Sequence, residues 1–220
     1  MRLSEPCRQY APKDLAQELG PGGIRQLLLL LCKSYKDLLN SGFVQADTGE
    51  DTITEEWFVQ IQKRWKRDRG ISLVPMSQKQ DKTKAAARGR PPTIDFCFRD
   101  EAFPECYFGV ECKLLDADSA AYLGAYLDDK EGIGRFLNGK YAARTGAGAM
   151  AGYVRTGEAK AVAAELKKAI NTLTGNPTLS KSAHLPGFEH LYESTHTRIS
   201  GISPFICFHL LFAFCCSSAA

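Results

Sequence analysis

The sequence predicts an α/β domain in which a mixed central sheet is flanked by helices. Two observations predict it. Helical patterning comes first, followed by a meander of short apolar strands, and the chain then alternates helix, strand, helix and closing strands. The chain has 220 residues, of which 44% are hydrophobic, which suits one core-bearing domain and argues against wholesale disorder. No repeat and no long linker divides it. The expected organisation is one domain over 1–220, with a helical part at 1–45, a central core at 50–155, and a helix with closing strands at 156–220.

A first helix is expected over residues 13–39, broken near Gly20-Pro21-Gly22-Gly23 and ended by Ser41-Gly42. A second covers 52–69, where Ile53, Trp57, Ile61 and Trp65 recur at helical spacing. The strand ISLVPM follows, and then a polar, basic stretch at 77–90 that reads as a loop. TIDFCF and CYFGVECKLL are the next strands, joined by RDEAFPE, a connection of hairpin length, so they are expected to pair antiparallel. After Asp116 the pattern is helical to about Tyr141, interrupted at EGIGRF. AMAGYVRT reads as a strand. GEAKAVAAELKKAINTL is an amphipathic helix with Ala163, Leu166, Ile170 and Leu173 on one face, and HLYESTHTR and FICFHLLF are closing strands.

Formal net charge is only +3, but its distribution is uneven. Between 63 and 90, Lys63, Arg64, Lys66, Arg67, Arg69, Lys79, Lys82, Lys84, Arg88 and Arg90 face only Asp68 and Asp81. This stretch is either a surface for a polyanion or a solvated helix face followed by a loop. The eight cysteines (7, 32, 97, 106, 112, 207, 215 and 216) form no CxxC pair and match no zinc spacing. Cys97 and Cys112 lie in apolar runs and are expected to fill core. The N-terminus shows no apolar signal-peptide core, and the run at 202–214 is too short to span a bilayer as a helix. The expectation is a cytoplasmic protein with reduced thiols and no membrane association.

The stretch YFGVECKLLD raises the chemical question. An acid two residues before a lysine occurs at Glu111/Lys113, Asp128/Lys130, Glu158/Lys160 and Glu165/Lys167. Only the first pair lies in a strand, where residues two apart share a face. Asp95 lies inside the preceding apolar strand, where a carboxylate is costly without a partner. If the two strands pair, Asp95 and Glu111 can converge on one magnesium ion, an ion that takes oxygen ligands and few carboxylates. The backbone carbonyl of Cys112 would lie at the same place as a further ligand. Lys113 can then orient or deprotonate a water, or neutralise charge developing on a phosphate. The alternative is an ion pair between Asp95 and Lys113 on an exposed sheet face.

With Ile94-Asp95, then Glu111-Cys112-Lys113 on the next strand, then a helix and a strand, the chain resembles the PD-(D/E)xK nuclease superfamily over roughly residues 50–155. The proline of that pattern is displaced, since Pro91-Pro92 precede Thr93 rather than the Asp. The resemblance implies a restriction-endonuclease-like fold and a magnesium-dependent deoxyribonuclease, with manganese able to substitute. Asp95 and Glu111 would be metal ligands and Lys113 the catalytic lysine. It further implies service in prokaryotic restriction or anti-phage defence, beside a regulating protein partner or in a homo-oligomer. A nuclease-like subunit that binds nucleic acid without cutting is the alternative, and RNA stays open as a substrate.

Members of the superfamily often add an acid from the helix before the first strand, and here Glu50, Glu55 and Glu56 compete. At about 100° per residue, with Ile53 at zero, Trp57, Ile61 and Trp65 fall near about 40°, 80° and 120°. Glu50 falls near about 60°, within that stripe, whereas Glu55 near about 200° and Glu56 near about −60° lie off it. Glu50 is therefore the expected fourth catalytic residue. Lys79, Lys82, Lys84, Arg88 and Arg90 would hold the DNA backbone, and the resemblance adds Arg135 and Lys140, whose residue-level reading is solvated helix charges. Tyr192, Ser194, His196 and Arg198 are expected on one solvent-facing strand surface, and His209 is expected to be a satisfied core histidine.

Overall fold

Apolar residues at 24, 27, 28, 31, 35 and 38 recur every three or four positions and are all buried, which makes α1 (Leu15–Asn40) amphipathic. Asp14 caps it by accepting from the Ala16 amide at 2.9 Å. The break expected at 20–23 is confined to Gly20, whose φ of 60° lies outside the helical region. α2 (Glu50–Asp68) buries Ile53, Thr54, Trp57, Phe58 and Ile61. Its Trp57 indole donates to Ser34 of α1 at 2.9 Å, and Arg64 grips Asp37 at 2.7 and 2.5 Å. The computed structural model describes residues 11–45, 47–68, 70–80, 93–116 and 119–214, with the side chains of 78–80 left out.

The remaining elements are β1 (Val74–Gln80), β2 (Thr93–Arg99), β3 (Tyr107–Asp116), α3 (Ala120–Leu127), α4 (Gly134–Leu137), β4 (Ala147–Thr156), α5 (Ala159–Ile170), β5 (Ser180–Lys181), β6 (Leu191–His196) and β7 (Phe205–Ala213). The strands form one seven-stranded mixed sheet in the order β1-β2-β3-β4-β7-β6-β5. β3, β4 and β7 run parallel at its centre, while β1/β2, β2/β3, β5/β6 and β6/β7 pair antiparallel. The expected hairpin pairing of TIDFCF with YFGVECKLL is present.

One face of the sheet packs Phe96, Phe98, Phe108, Val110, Cys112 and Tyr153 against α1 and α2. The other packs Cys97, Tyr107, Leu115, Met150 and Leu211 against Tyr126 of α3, Phe136 of α4, and Val162, Leu166 and Ile170 of α5. Both faces are covered, as parallel strands require. Cys97 and Cys112 are buried core residues as expected, and the described cysteines form no disulfide. No helix among the described residues is long and apolar enough to cross a membrane.

Three expectations need correcting. The stretch at 77–80 is strand, not the start of a loop: Ser77, Lys79 and Gln80 pair with Phe96, Ile94 and Thr93. Antiparallel pairing holds these polar residues extended despite a loop-like composition. The helical stretch expected to about Tyr141, with its interruption at EGIGRF, is two helices shorter than that, α3 and α4, the second ending at Leu137. Between them the Ile133 amide bonds Tyr126 O at 2.9 Å, and a Cβ on Gly132 would overlap that same carbonyl. The face carrying Ser194, His196 and Arg198 is buried rather than solvated.

Candidate active site

β2 and β3 pair from Arg99↔Tyr107 to Phe96↔Val110, and there the ladder stops. The alternation of β2 breaks at the same point. Phe96 and Phe98 face α1 and α2, but Ile94 turns to the opposite face, beside Cys97. It lies across Gly109 of β3, where a Cβ would overlap the Ile94 side chain. At the break Asp95 replaces the lost ladder bond with its own side chain, and its Oδ2 accepts from the Cys112 amide at 2.7 Å.

Glu111 and Lys113 project together from β3. The Lys113 Nζ lies 3.3 Å from Glu111 Oε1, 3.2 Å from Glu50 Oε1 and 2.9 Å from the Cys112 carbonyl oxygen. Its three protons therefore all have acceptors. Glu50 opens α2 and reaches the sheet because it lies in the buried stripe of that helix, and its second oxygen accepts from the Leu114 amide at 2.7 Å. Glu55 is exposed in the neighbouring cleft, and Glu56 accepts from Gln60 at 2.7 Å. Of the three candidate acids, helical geometry brings only Glu50 to Lys113.

The exposed ion pair between Asp95 and Lys113 is not what forms. Glu111 is only 3% exposed, Lys113 binds the two glutamates, and Asp95 is held by an amide. Burial pushes the Asp95 carboxyl up to about 6, against the pull of Lys113 and the Cys112 amide. Burial and then the Asp95 charge push Glu111 up to about 8, with Lys113 and Arg135 opposing. Burial works against the Lys113 charge, but Glu111, Glu50 and Asp95 outweigh it, so Lys113 stays protonated well above the ordinary lysine range.

Glu111 Oε2 is buried and has no hydrogen-bond partner among the described residues. An orphaned carboxylate oxygen beside a second, half-buried acid is a site short of positive charge. No three His, Cys, Asp or Glu side chains among the described residues form a metal cage. A magnesium-type ion needs only one or two carboxylates with waters and substrate oxygens, so the Asp95–Glu111 pair fits it. The Cys112 carbonyl is engaged by Lys113 and would have to be released to serve as a third ligand. Beside Asp95 a cleft of about 440 Å³ opens, lined by Asp51, Thr54, Glu55, Phe58, Ser77 and Asp95.

No family model, curated protein or solved structure matches the chain.

Among the described residues the basic stretch is divided between elements. α2 rises about 1.5 Å per residue, so Lys66 lies about 24 Å along the helix from Glu50. Lys63, Lys66 and Arg67 therefore belong to the far end of α2, and Arg64 is committed to Asp37 and Asp68. Lys79 is in β1, paired with Ile94, the residue before Asp95 in β2. Lys82, Lys84, Arg88 and Arg90 lie outside the described residues. Lys140 is exposed. Arg135 is half-buried: it donates to Lys130 O and the Tyr141 hydroxyl and approaches Thr93 O at 3.5 Å.

The sequence reading missed Tyr141, which is buried and donates to Thr93 O at 2.6 Å from beside Glu111. It also missed the layer behind Cys112, where Thr54 and Tyr153 share a 3.1 Å hydrogen bond. No spacing rule marks either, because both depend on which helix covers which strand.

Proposed function

We propose that the chain is a metal-dependent nuclease of the PD-(D/E)xK type, with a restriction-endonuclease-like arrangement of its sheet, that hydrolyses phosphodiester bonds in DNA. The observation that carries this reading is Glu111: a carboxylate 3% exposed, with one oxygen on Lys113 and the other without a partner among the described residues, next to Asp95 where two strands part. Such an arrangement is expensive for a purely structural ion pair. It suits a site that gains a cation.

Asp95 and Glu111 would hold that ion, magnesium or manganese. When bound, it supplies a polarised water and neutralises charge on the scissile phosphate. Lys113, kept protonated, adds fixed positive charge for the non-bridging oxygens as charge develops there, a role of electrostatic stabilisation rather than of general base. Glu50 keeps the Lys113 ammonium in place and ties the α2 N-terminus to Leu114. The ends of β1 and β2, from which the basic residues of 79–90 spring, flank this place and suit contact with the phosphate backbone. Restriction or anti-phage defence, under a regulating partner or in a homo-oligomer, is the setting in which such an activity is restrained.

A second reading rests on the Lys113–Cys112 O bond, which occupies the carbonyl wanted for the metal. In that reading the chain is a nuclease-like subunit that binds nucleic acid without cutting it. One experiment separates them: cleavage of plasmid, single-stranded DNA and RNA with magnesium or manganese against EDTA, beside Lys113→Ala. Metal-dependent cutting of DNA that falls at least about a hundredfold in the variant supports the nuclease. DNA binding without cutting moves the assignment to the silent subunit, and equal cutting by both proteins sinks the role given to Lys113.

A further inference from the structure

We propose that Arg198 is a positioning residue for this site: a buried guanidinium that fixes the turn at 136–145 and, through Tyr141 on that turn and Arg135 just before it, sets where the start of β2 presents Asp95. The inference rests on the reading above only in taking Asp95 as an acid of the site.

Arg198 follows β6 and is 7% exposed. Its nitrogens donate to backbone carbonyls, not to a carboxylate: Nε to Phe136 O at 2.7 Å, Nη1 to Ala142 O at 3.0 Å and Thr145 O at 3.1 Å, and Nη2 to Tyr141 O at 2.6 Å. Its guanidinium carbon lies 4.2 Å from the centre of the Phe205 ring. Burial pulls its pKa down to about 10, which measures how unfavourable the place is for a charge. An apolar side chain of similar volume would fill the space at lower cost. What the guanidinium alone provides is four directional bonds to one turn.

The turn needs them. Ala142 has a φ of 47°, a left-handed conformation that a residue with a Cβ adopts only when its surroundings impose it. Its amide is held by the Tyr107 hydroxyl at 2.8 Å and its carbonyl by Arg198. The turn then acts outward. Tyr141 donates its hydroxyl to Thr93 O, and Arg135 donates to both Tyr141 and Thr93 O. Thr93 stands two residues before Asp95, in the part of β2 where pairing with β3 has ended. On that side no backbone ladder positions Asp95. The bonds from Tyr141 and Arg135, with the Cys112 amide, take its place.

The test reads Asp95 without needing catalysis. Residue-resolved amide hydrogen exchange is measured on the full chain, metal-free, for wild type, Arg198→Lys, Tyr141→Phe and the double variant. The Cys112 amide, bonded to Asp95 Oδ2, is expected to exchange about tenfold faster in each variant. The Leu114 amide on Glu50 and the amides of the β6–β7 ladder are expected to stay within about twofold, and the double variant to be no faster at Cys112 than the faster single one. An unchanged Cys112 amide overturns the proposal. So does acceleration of Cys112, Leu114 and the β6–β7 ladder together, which would mean that Arg198 only stabilises the fold. Should Arg198→Lys fail to fold, Tyr141→Phe reads the link from the turn to Thr93, since it removes only the hydroxyl that joins Thr93 and Arg135, and an unchanged Cys112 amide there overturns the proposal. Where wild type cuts DNA, the variants are expected to lower kcat with KM nearly unchanged. Absence of cutting by wild type would sink the nuclease reading and leave the exchange result standing.

Discussion

Glu111 is held between opposing demands. Its carboxylate must shed water to sit in β3, must tolerate Asp95 nearby, and among the described residues is paired through one of its two oxygens, to Lys113. With its carboxyl pushed up to about 8 from an unfolded value of 4.5, the folded protein takes up a proton that the unfolded chain lacks. This contribution to stability is complete below about 4.5 and is lost as the pH rises through about 8. A neutral isostere escapes that loss. Glu111→Gln is expected to raise the metal-free Tm at pH 8 by about 3 °C while removing cleavage, the trade seen where activity needs a strained site. Magnesium should raise the Tm of wild type and not of the variant. Thermal scans with and without the metal check this, and a lower Tm for Glu111→Gln would contradict the account of the site. Asp95, Glu111 and Lys113 are legible in the sequence because an acid inside an apolar strand demands a reason, and Glu50 is legible from its angle on α2. Tyr141 and Arg198 are not, since a tyrosine after a short helix and an arginine after a strand look like surface until the neighbouring elements are in place.

At the scale of the element, β6 shows how tertiary packing overrides pattern. Its even-numbered residues read as a solvent face, yet Ser194 and His196 are buried beside β7. Ser194 Oγ links His196 Nε2 at 2.6 Å to His209 Nε2 at 2.7 Å, and His209 Nδ1 meets the Tyr126 hydroxyl at 2.9 Å. His209 is thus the satisfied core histidine expected from FICFHLLF. His196 is a second buried histidine, bonded through Nε2 but with Nδ1 unpartnered among the described residues. Burial pulls His196 down to about 4, and burial with the neighbouring His196 pulls His209 to about 3, so both are neutral in the folded protein near neutrality. Unfolded histidine takes a proton near 6.5, so the stability these rings contribute is present above that value and is lost as pH falls toward about 4 and about 3. Between 4.5 and about 8 Glu111 acts in the opposite sense, which makes a difference measurement necessary. The denaturant midpoint of wild type is expected to fall more steeply from pH 6.5 to 4 than that of His196→Gln. Equal slopes would mean that the pair is not held neutral. Composition misled at β1 for the same reason as at β6: QKQ is loop-like alone and becomes strand because β2 offers it a ladder.

At the scale of the whole molecule, the sheet separates two cores, and the candidate site lies at the break between β2 and β3 rather than within either core. The helix–meander–helix order makes the α/β class and the antiparallel β2/β3 pair legible. The full strand order is not, because nothing local tells β7 to lie beside β4 and so bring a distant segment to the centre of the sheet. That order also leaves β1 and β5 as outermost strands, with a consequence for how the protein tolerates crowding with its own copies. An outermost strand is a template on which another chain can polymerise. On one side β5 is only the two exposed residues Ser180 and Lys181, too short and too charged to recruit a partner. On the other, β1 carries Pro75, which lacks the N–H that an incoming strand would need and is tolerated because β1 has a neighbour on one side only. Pro75→Val should restore that donor, and light scattering during prolonged warm incubation should then rise sooner than for wild type. Identical traces would show that the proline is not the guard. Both flanks of the sheet are blunted against fibrous self-association, so β1 can pass the cleft at Asp95 without inviting a second copy to zip onto it.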